Sequence, residues 1–298
     1  MARIALAGYL GNQLFQWAFG HSLLRRSARS RFILQRMNLP TNGWKSELEF
    51  LESSCKHFYL ASPRTSDQYR DKLIGKTDLF IKKMPLRDQL MNISDLVLRV
   101  KREQLLTSTC QQRSLQRLYY GYFQNVAFFK SEIPLLTFEL MNAVDSVVLA
   151  RENAELERIN AFIESCAEFQ LVHVRRGDFL NSGNEGFGIL SPEYYSSNRS
   201  SLPIILITDD LEGSKDVIQV LKPEIMVDPQ KLDAVRTLSL FPRAKIVLSS
   251  NSTFSYWGSL LALSSGKRVK IPDRFRPLGN DFNNFYVEGM EPTKAHFR

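Results

Sequence analysis

Hydrophobic and polar positions change rhythm near residue 166. Beyond it, short apolar runs alternate with stretches at helical spacing. LVHV (171–174), PIILIT (203–208), KIVLSS (245–250) and RVKIP (268–272) read as strands, and residues at about 211–221, 231–242 and 255–265 as the helices between them. Strands alternating with helices of this length predict βαβ units and a parallel sheet. The N-terminal part is less regular. RIALAG is an apolar run closed by Gly8, after which Leu14, Phe15, Ala18, Phe19 and Leu23 recur with the helical period, predicting strand, turn and helix. RFILQ (31–35) predicts a second strand, residues 66–118 are polar, basic and helix-prone, and ENAELERINAFIESC (152–166) predicts an amphipathic helix. LYYGYFQNVAFF (118–129) is an aromatic cluster, and no repeat interrupts the chain. The pattern predicts two domains, 1–165 and 166–298.

Length agrees with that division, since 298 residues suffice for two ordinary cores. The 44% hydrophobic and 23% charged content is that of a soluble globular protein, and no uninterrupted apolar run reaches the roughly 18–20 residues of a membrane span. The opening run is too short and too soon polar for a signal peptide. The expectation is a cytoplasmic protein, peripheral to the inner membrane face, or a Golgi-type enzyme if an anchor precedes the sequence. A formal charge of +8 favours anionic partners: a nucleotide, a phospholipid surface or a nucleic acid. The basic residues are scattered and lack the aromatic interleaving of an RNA-binding sheet, which argues against nucleic acid. Three cysteines, widely spaced and without C-x-x-C, read as thiols, not as a disulfide frame or a zinc site.

Parallel sheets bind ligands at the carboxyl ends of their strands, and three strand ends here carry polar clusters. After 174 come Arg175, Arg176, Gly177 and Asp178. Alternation puts His173 and Arg175 on one side and Arg176 on the other. Arg175 is assigned to an anionic ligand and Arg176 to a carboxylate, Asp178 being the nearest. A plain strand-end ion-pair cluster is the structural alternative. After 207 come Thr208, Asp209 and Asp210. The adjacent carboxylates lack the D-x-D spacing of a metal site; they suit either the N–H edge of a guanine ring or a helix N-cap. After 249 come Ser250, Asn251, Ser252 and Thr253, leading into an apolar helix whose N-terminus suits phosphate oxygens. Together the clusters describe a nucleoside diphosphate pocket.

The stretches GYLGNQLFQWAFG (8–20), GYFQN (121–125), HVRRGDF (173–179), SPEYY (191–195), ITDD (207–210) and SSNSTFSYWGSLLA (249–262) resemble the family 11 glycosyltransferases, the α-1,2-fucosyltransferases. Their H-x-R-R-x-D motif links that family to the α-1,6- and protein O-fucosyltransferases. The resemblance implies an α/β fold of GT-B type, two Rossmann-like domains facing a central cleft. Its N-terminal domain would take mainly the acceptor and its C-terminal domain GDP-β-L-fucose. It implies that Arg175 holds the β-phosphate, His173 reaches the guanosine, Asp209 or Asp210 reads guanine, and Ser250, Asn251, Ser252 and Thr253 line diphosphate and fucose. Gly11, Asn12 and Gln13 would form the turn facing the donor. No metal and no cofactor is implied beyond the donor substrate. Tyr9 departs from the family, which usually has Gly there, so the first turn is either shaped differently or contacts the acceptor.

Inversion needs one attack by an acceptor hydroxyl as GDP departs, and Arg175 is the expected main stabiliser of the leaving charge. Candidate bases are Asp178, Glu185 in the Gly-rich NSGNEGFG, and Glu193. The expected partners are GDP-fucose and a galactose-containing glycan, with contact to an anionic membrane surface and without nucleic acid. Two alternatives stay open: a GDP-sugar transferase of another linkage or donor, and an inactive nucleotide- or glycan-binding relative. A dinucleotide oxidoreductase is disfavoured because GYLGNQ lacks G-x-G-x-x-G.

Overall fold

The computed structural model describes residues 2–25, 31–36, 47–52, 54–61, 100–102, 118–180, 186–279 and 281–298. They form two compact units, Met1–Ile133 and Pro134–Arg298.

In the first unit β1 (Ala2–Leu6) leads through a turn at Gly8 into α1 (Leu10–Arg25), followed by β2 (Phe32–Arg36), the short α2 (Glu49–Glu52), β3 (Phe58–Ala61), β4 (Val100–Arg102) and β5 (Leu118–Tyr120). The sheet order is β3-β2-β1-β5-β4, and every described pairing is parallel. The predicted apolar stripe of α1 is there, but Trp17, Gln13, Gln16 and His21 are buried as well, so the helix is enclosed on all sides. Its aromatic side packs Phe19 flat on Phe123, with ring centroids 4.0 Å apart. This is where the aromatic cluster goes. Most of the helix-prone stretch 66–118 lies outside the described residues.

In the second unit α3 (Ile133–Ala150) and α4 (Ala154–Cys166) precede β6 (Gln170–Val174), α5 (Pro192–Ser197), β7 (Ile204–Thr208), α6 (Lys215–Leu221), β8 (Ile225–Val227), α7 (Ala234–Leu238), β9 (Ile246–Leu248), α8 (Thr253–Ser264), β10 (Arg268–Pro272) and β11 (Met290–Thr293). The order is β11-β10-β9-β6-β7-β8, all parallel. In chain order within the unit this is 3-2-1-4-5-6 read from the other edge, the Rossmann arrangement. β6 and β7 are buried along their whole length, as expected of a sheet covered on both faces. Val172 and Val174 pack with Tyr194, Tyr195, Val217 and Leu221, while His173 points the other way, toward Phe241 and Phe254.

The units divide at 133/134, ahead of the expected 165/166, because α3 and α4 are fastened to the second sheet. Asn153 caps α4 by accepting from Leu156 N–H and donates to Lys231 O at 3.1 Å. Arg158 donates to Met226 O, and Arg236 to Val147 O and Arg151 O. Residues Lys130–Ala150 also make one helical run long and apolar enough to cross a membrane by length and composition, with mean hydropathy 1.5 and 33% of the window buried. An uninterrupted apolar run is absent there because Thr137, Glu139, Asn142 and Asp145 break it.

Gly20 of α1 faces the Phe32 ring, and a Cβ would lie 2.2 Å from it. Gly20→Ala is expected to lower stability by about 1–3 kcal/mol through overpacking, although alanine is the better helix former. Urea unfolding followed by tryptophan fluorescence measures the change, and unchanged or raised stability would refute this account of the contact.

Candidate functional site

The three strand ends meet as the pattern predicts, because β7, β6 and β9 are neighbours in the sheet. The chain turns sharply after Val174. Gly177 has φ +24°, and a Cβ there would come within 2.2 Å of Asp209 Oδ2, so only glycine lets the two strand ends close together. Asp209 is the staple: its Oδ1 accepts from Arg176 N–H at 2.8 Å and its Oδ2 pairs with Arg175 Nη1 at 2.8 Å.

The two arginines divide their work as alternation requires, but their partners differ from the expected ones. Arg175 pairs with Asp178 as well as Asp209, and its guanidinium lies 5.2 Å over the Phe179 ring. Arg176 does not reach Asp178. It is fully buried and donates to Gly213 O, Arg175 O and Asp216. The short 3-10 turn Gly177–Leu180 returns Asp178 toward Arg175, while Arg176 points inward to the loop before α6. Asp210 is not a helix N-cap, since Ser214 holds that position before α6; its Oδ1 accepts from Gly213 N–H at 2.9 Å and closes the turn ahead of the helix.

His173 is buried and shares a hydrogen bond of 2.8 Å between its Nδ1 and Ser250 Oγ. Burial, followed by the charge of Arg175, lowers its pKa to about 3, so the ring is neutral at physiological pH. Asn251 is turned inward. Its amide donates to Phe187 O, Gly188 O and Phe275 O, holding two loops against the end of β9. Ser252 is the N-cap residue of α8, and its side chain makes no capping bond. The N-terminus of α8 carries the positive end of the helix dipole, which suits an anion.

Glu193, in the first turn of α5, lies 3.3 Å from His296, while Glu185 lies outside the described residues. In the first unit, Gly11 is buried within α1. Gln13 donates to Gly8 O and accepts from Glu47 N–H, and Asn12 accepts from Gln124. The pattern did not single out Phe179, Phe187, Asp216 or Arg276. Phe179 stacks on Phe187 at 5.1 Å, and Arg276 covers Phe187 at 5.5 Å. Phe179, four residues after Arg175, was within reach of a sequence argument; Phe187 and Arg276 come from distant loops.

No protein-family profile matches the chain. It is similar to the O-antigen biosynthesis glycosyltransferase WbnK of Escherichia coli, at 21% identity over 303 residues covering 91% of this chain and 93% of that protein. Among solved structures, the glycosyl transferase family 9 protein from Veillonella parvula DSM 2008 superposes with a TM-score of 0.51 at 10% identity, covering 98% of this chain and 86% of that one. The fold is of the GT-B type. The fucosyltransferase NodZ from Bradyrhizobium shows a TM-score of 0.44 at 12% identity, covering 87% of this chain and 91% of that one.

The buried imidazoles set the acid response of the fold. His173 and His21 both have pKa values lowered to about 3, whereas the unfolded chain takes up these protons near 6.5. Stability is therefore complete above about pH 6.5 and falls as pH drops toward 3, by up to about 1.4 kcal/mol per pH unit for each group. Urea midpoints measured from pH 7.5 down to 5 should decline accordingly; a flat profile would contradict the burial.

Proposed function

We propose that the chain is an inverting glycosyltransferase that moves L-fucose from GDP-β-L-fucose to the 2-hydroxyl of a terminal β-galactoside in a surface glycan. The observation that carries this reading is the convergence of Arg175, the His173–Ser250 pair and the N-terminus of α8 at the point where a Rossmann-ordered sheet reverses direction. The near full-length likeness to a glycosyltransferase of O-antigen biosynthesis supports a nucleotide-sugar donor and a glycan product. The HVRRGDF and SSNSTF stretches support fucose as the sugar.

In this reading Arg175 receives the diphosphate and the N-terminal N–H groups of α8 receive the remaining oxygens. Arg175 already has two carboxylates, so one gives way. Asp178 is the more exposed, its side chain 38% accessible against 26% for Asp209, and Asp209 is also held by Arg176 N–H. Phosphate therefore replaces Asp178. The released carboxylate then lies beside the reacting sugar and takes the proton of the acceptor hydroxyl as its oxygen bonds to the anomeric carbon and GDP leaves with the electron pair. Asp210 is the better placed of the two aspartates for guanine, because Asp209 is engaged on both oxygens. The reading requires no metal and no cofactor.

The test is GDP release by the purified chain with GDP-fucose, lactose and EDTA, reading the product linkage by mass spectrometry and NMR. Fucα1,2Gal is expected in the presence of EDTA, with the rate about 10²–10³-fold lower in Arg175→Ala. Binding of GDP-fucose without transfer to lactose or another β-galactoside would overturn the acceptor assignment alone. Absence of GDP-fucose binding would overturn the donor assignment.

A further inference from the structure

Away from its strand-end loops, the first unit gathers a thiol and two imidazoles. Cys55 and His21 are both buried, and Cys55 Sγ lies 3.6 Å from His21 Nε2. The His57 ring stands 5.7 Å from that of His21, at 79° to it, and His57 is exposed. His21 comes from α1, whereas Cys55 and His57 come from the turn between α2 and β3. No C-x-x-C announces such a group, because the thiol and the first imidazole lie 34 residues apart.

Local structure fixes all three positions. His21 sits edge-on to two neighbours, Trp17 at 5.0 Å and Phe32 at 5.6 Å. Cys55 N–H donates to Leu51 O at 2.8 Å, which ties the turn to the end of α2. His57 O accepts from Phe32 N–H at 3.0 Å, which ties it to β2 as β3 begins. The exposed His57 side chain keeps room to reorient, and it gives the buried pair an opening to solvent.

The spacing is that of ligands on one ion. Zinc takes a thiolate sulfur at about 2.3 Å and an imidazole nitrogen at about 2.0–2.1 Å, so at a tetrahedral angle the two atoms stand about 3.6 Å apart. Cys55 and His21 have that separation. Two imidazoles on one tetrahedral ion hold their ring centres about 5 Å apart. A small turn of the His57 side chain closes the remaining difference. A hydrogen bond joins two of the three groups; a metal joins all three. One thiolate with two imidazoles is a borderline-soft set that suits Zn²⁺ and, lacking oxygen, disfavours Mg²⁺ and Ca²⁺. Binding releases the thiol proton to solvent.

We propose that Cys55, His21 and His57 bind one zinc ion that ties α1 to the turn before β3, with the fourth position left to water or another oxygen. The ion is structural, and the proposal does not rest on the transferase reading. The test is titration of the reduced, metal-stripped chain with Co²⁺ as a spectroscopic probe, followed by Zn²⁺. One equivalent of Co²⁺ should give the near-ultraviolet thiolate-to-metal band, and one equivalent of Zn²⁺ should abolish it. Cys55→Ser should remove the band, while Cys110→Ser and Cys166→Ser should keep it. His57→Ala, at an exposed position, should fold as the wild type does and bind Zn²⁺ about 10-fold or more weakly. Zn²⁺ should raise the Tm of the wild type by several degrees and leave that of Cys55→Ser unchanged. Absence of the band in the wild type, its survival in Cys55→Ser, or undiminished affinity in His57→Ala would each overturn the proposal. Circular dichroism of each variant is matched to the wild type, and if Cys55→Ser fails to fold, His57→Ala decides.

Discussion

A guanidinium sealed from water organises the second unit. Arg176 has no exposed surface, so its donors must find partners within the protein or the burial is prohibitive. They do so at Gly213 O, Arg175 O and Asp216, joining the end of β6 to the loop after β7 and the start of α6. The same residue gives its main-chain N–H to Asp209, which aims that carboxylate at Arg175. The half-buried Arg175 is thus positioned by the fully buried Arg176. This explains why the motif needs both, and why the residue between them and Asp178 is a glycine with Asp209 against its Cα.

The first unit ties the loops at its strand ends by other means. Its loops are joined by Gln13, Gln16, Asn12 and Gln124, whose neutral amides carry a smaller desolvation cost than ions. Buried amides hold geometry but create little field.

Legibility of the sequence followed the strength of local signal. β6, β7 and β9 were readable because they are buried on both faces and read as apolar runs bounded by polar turns, and β10 because it alternates exposed Arg268 and half-buried Lys270 with buried Val269 and Ile271. β8 and β11 were not: one spans three residues, Ile225–Val227, and the other contains Pro292, which belongs at an edge and is found at one. Alternation correctly separated Arg175 from Arg176, yet it carries no information on side-chain torsions, so Asp178 was given to the wrong arginine. The inward role of Asn251 was hidden for a related reason, since its acceptors at Phe187, Gly188 and Phe275 are remote in sequence. The domain boundary failed because an amphipathic helix such as α4 does not announce which sheet it covers. Its ties to Lys231 and Met226 decide that.

The clamp on Arg175 also bears on selectivity. A ligand gains from this arginine only the difference between its own charge-assisted bonds and those of the carboxylate it displaces. A monoanionic carboxylate, such as that of an acidic sugar, offers Arg175 nothing that Asp178 does not already supply. A diphosphate brings more charge and more oxygens, and the positive N-terminus of α8 follows the adjacent strand end. Two aspartates around one arginine therefore favour nucleoside diphosphates over simpler anions, although they weaken the attraction for every anion. Asp209 is held by both the Arg176 N–H and the Arg175 guanidinium, so in the proposed exchange it is Asp178 that yields while the turn presenting Arg175 is kept.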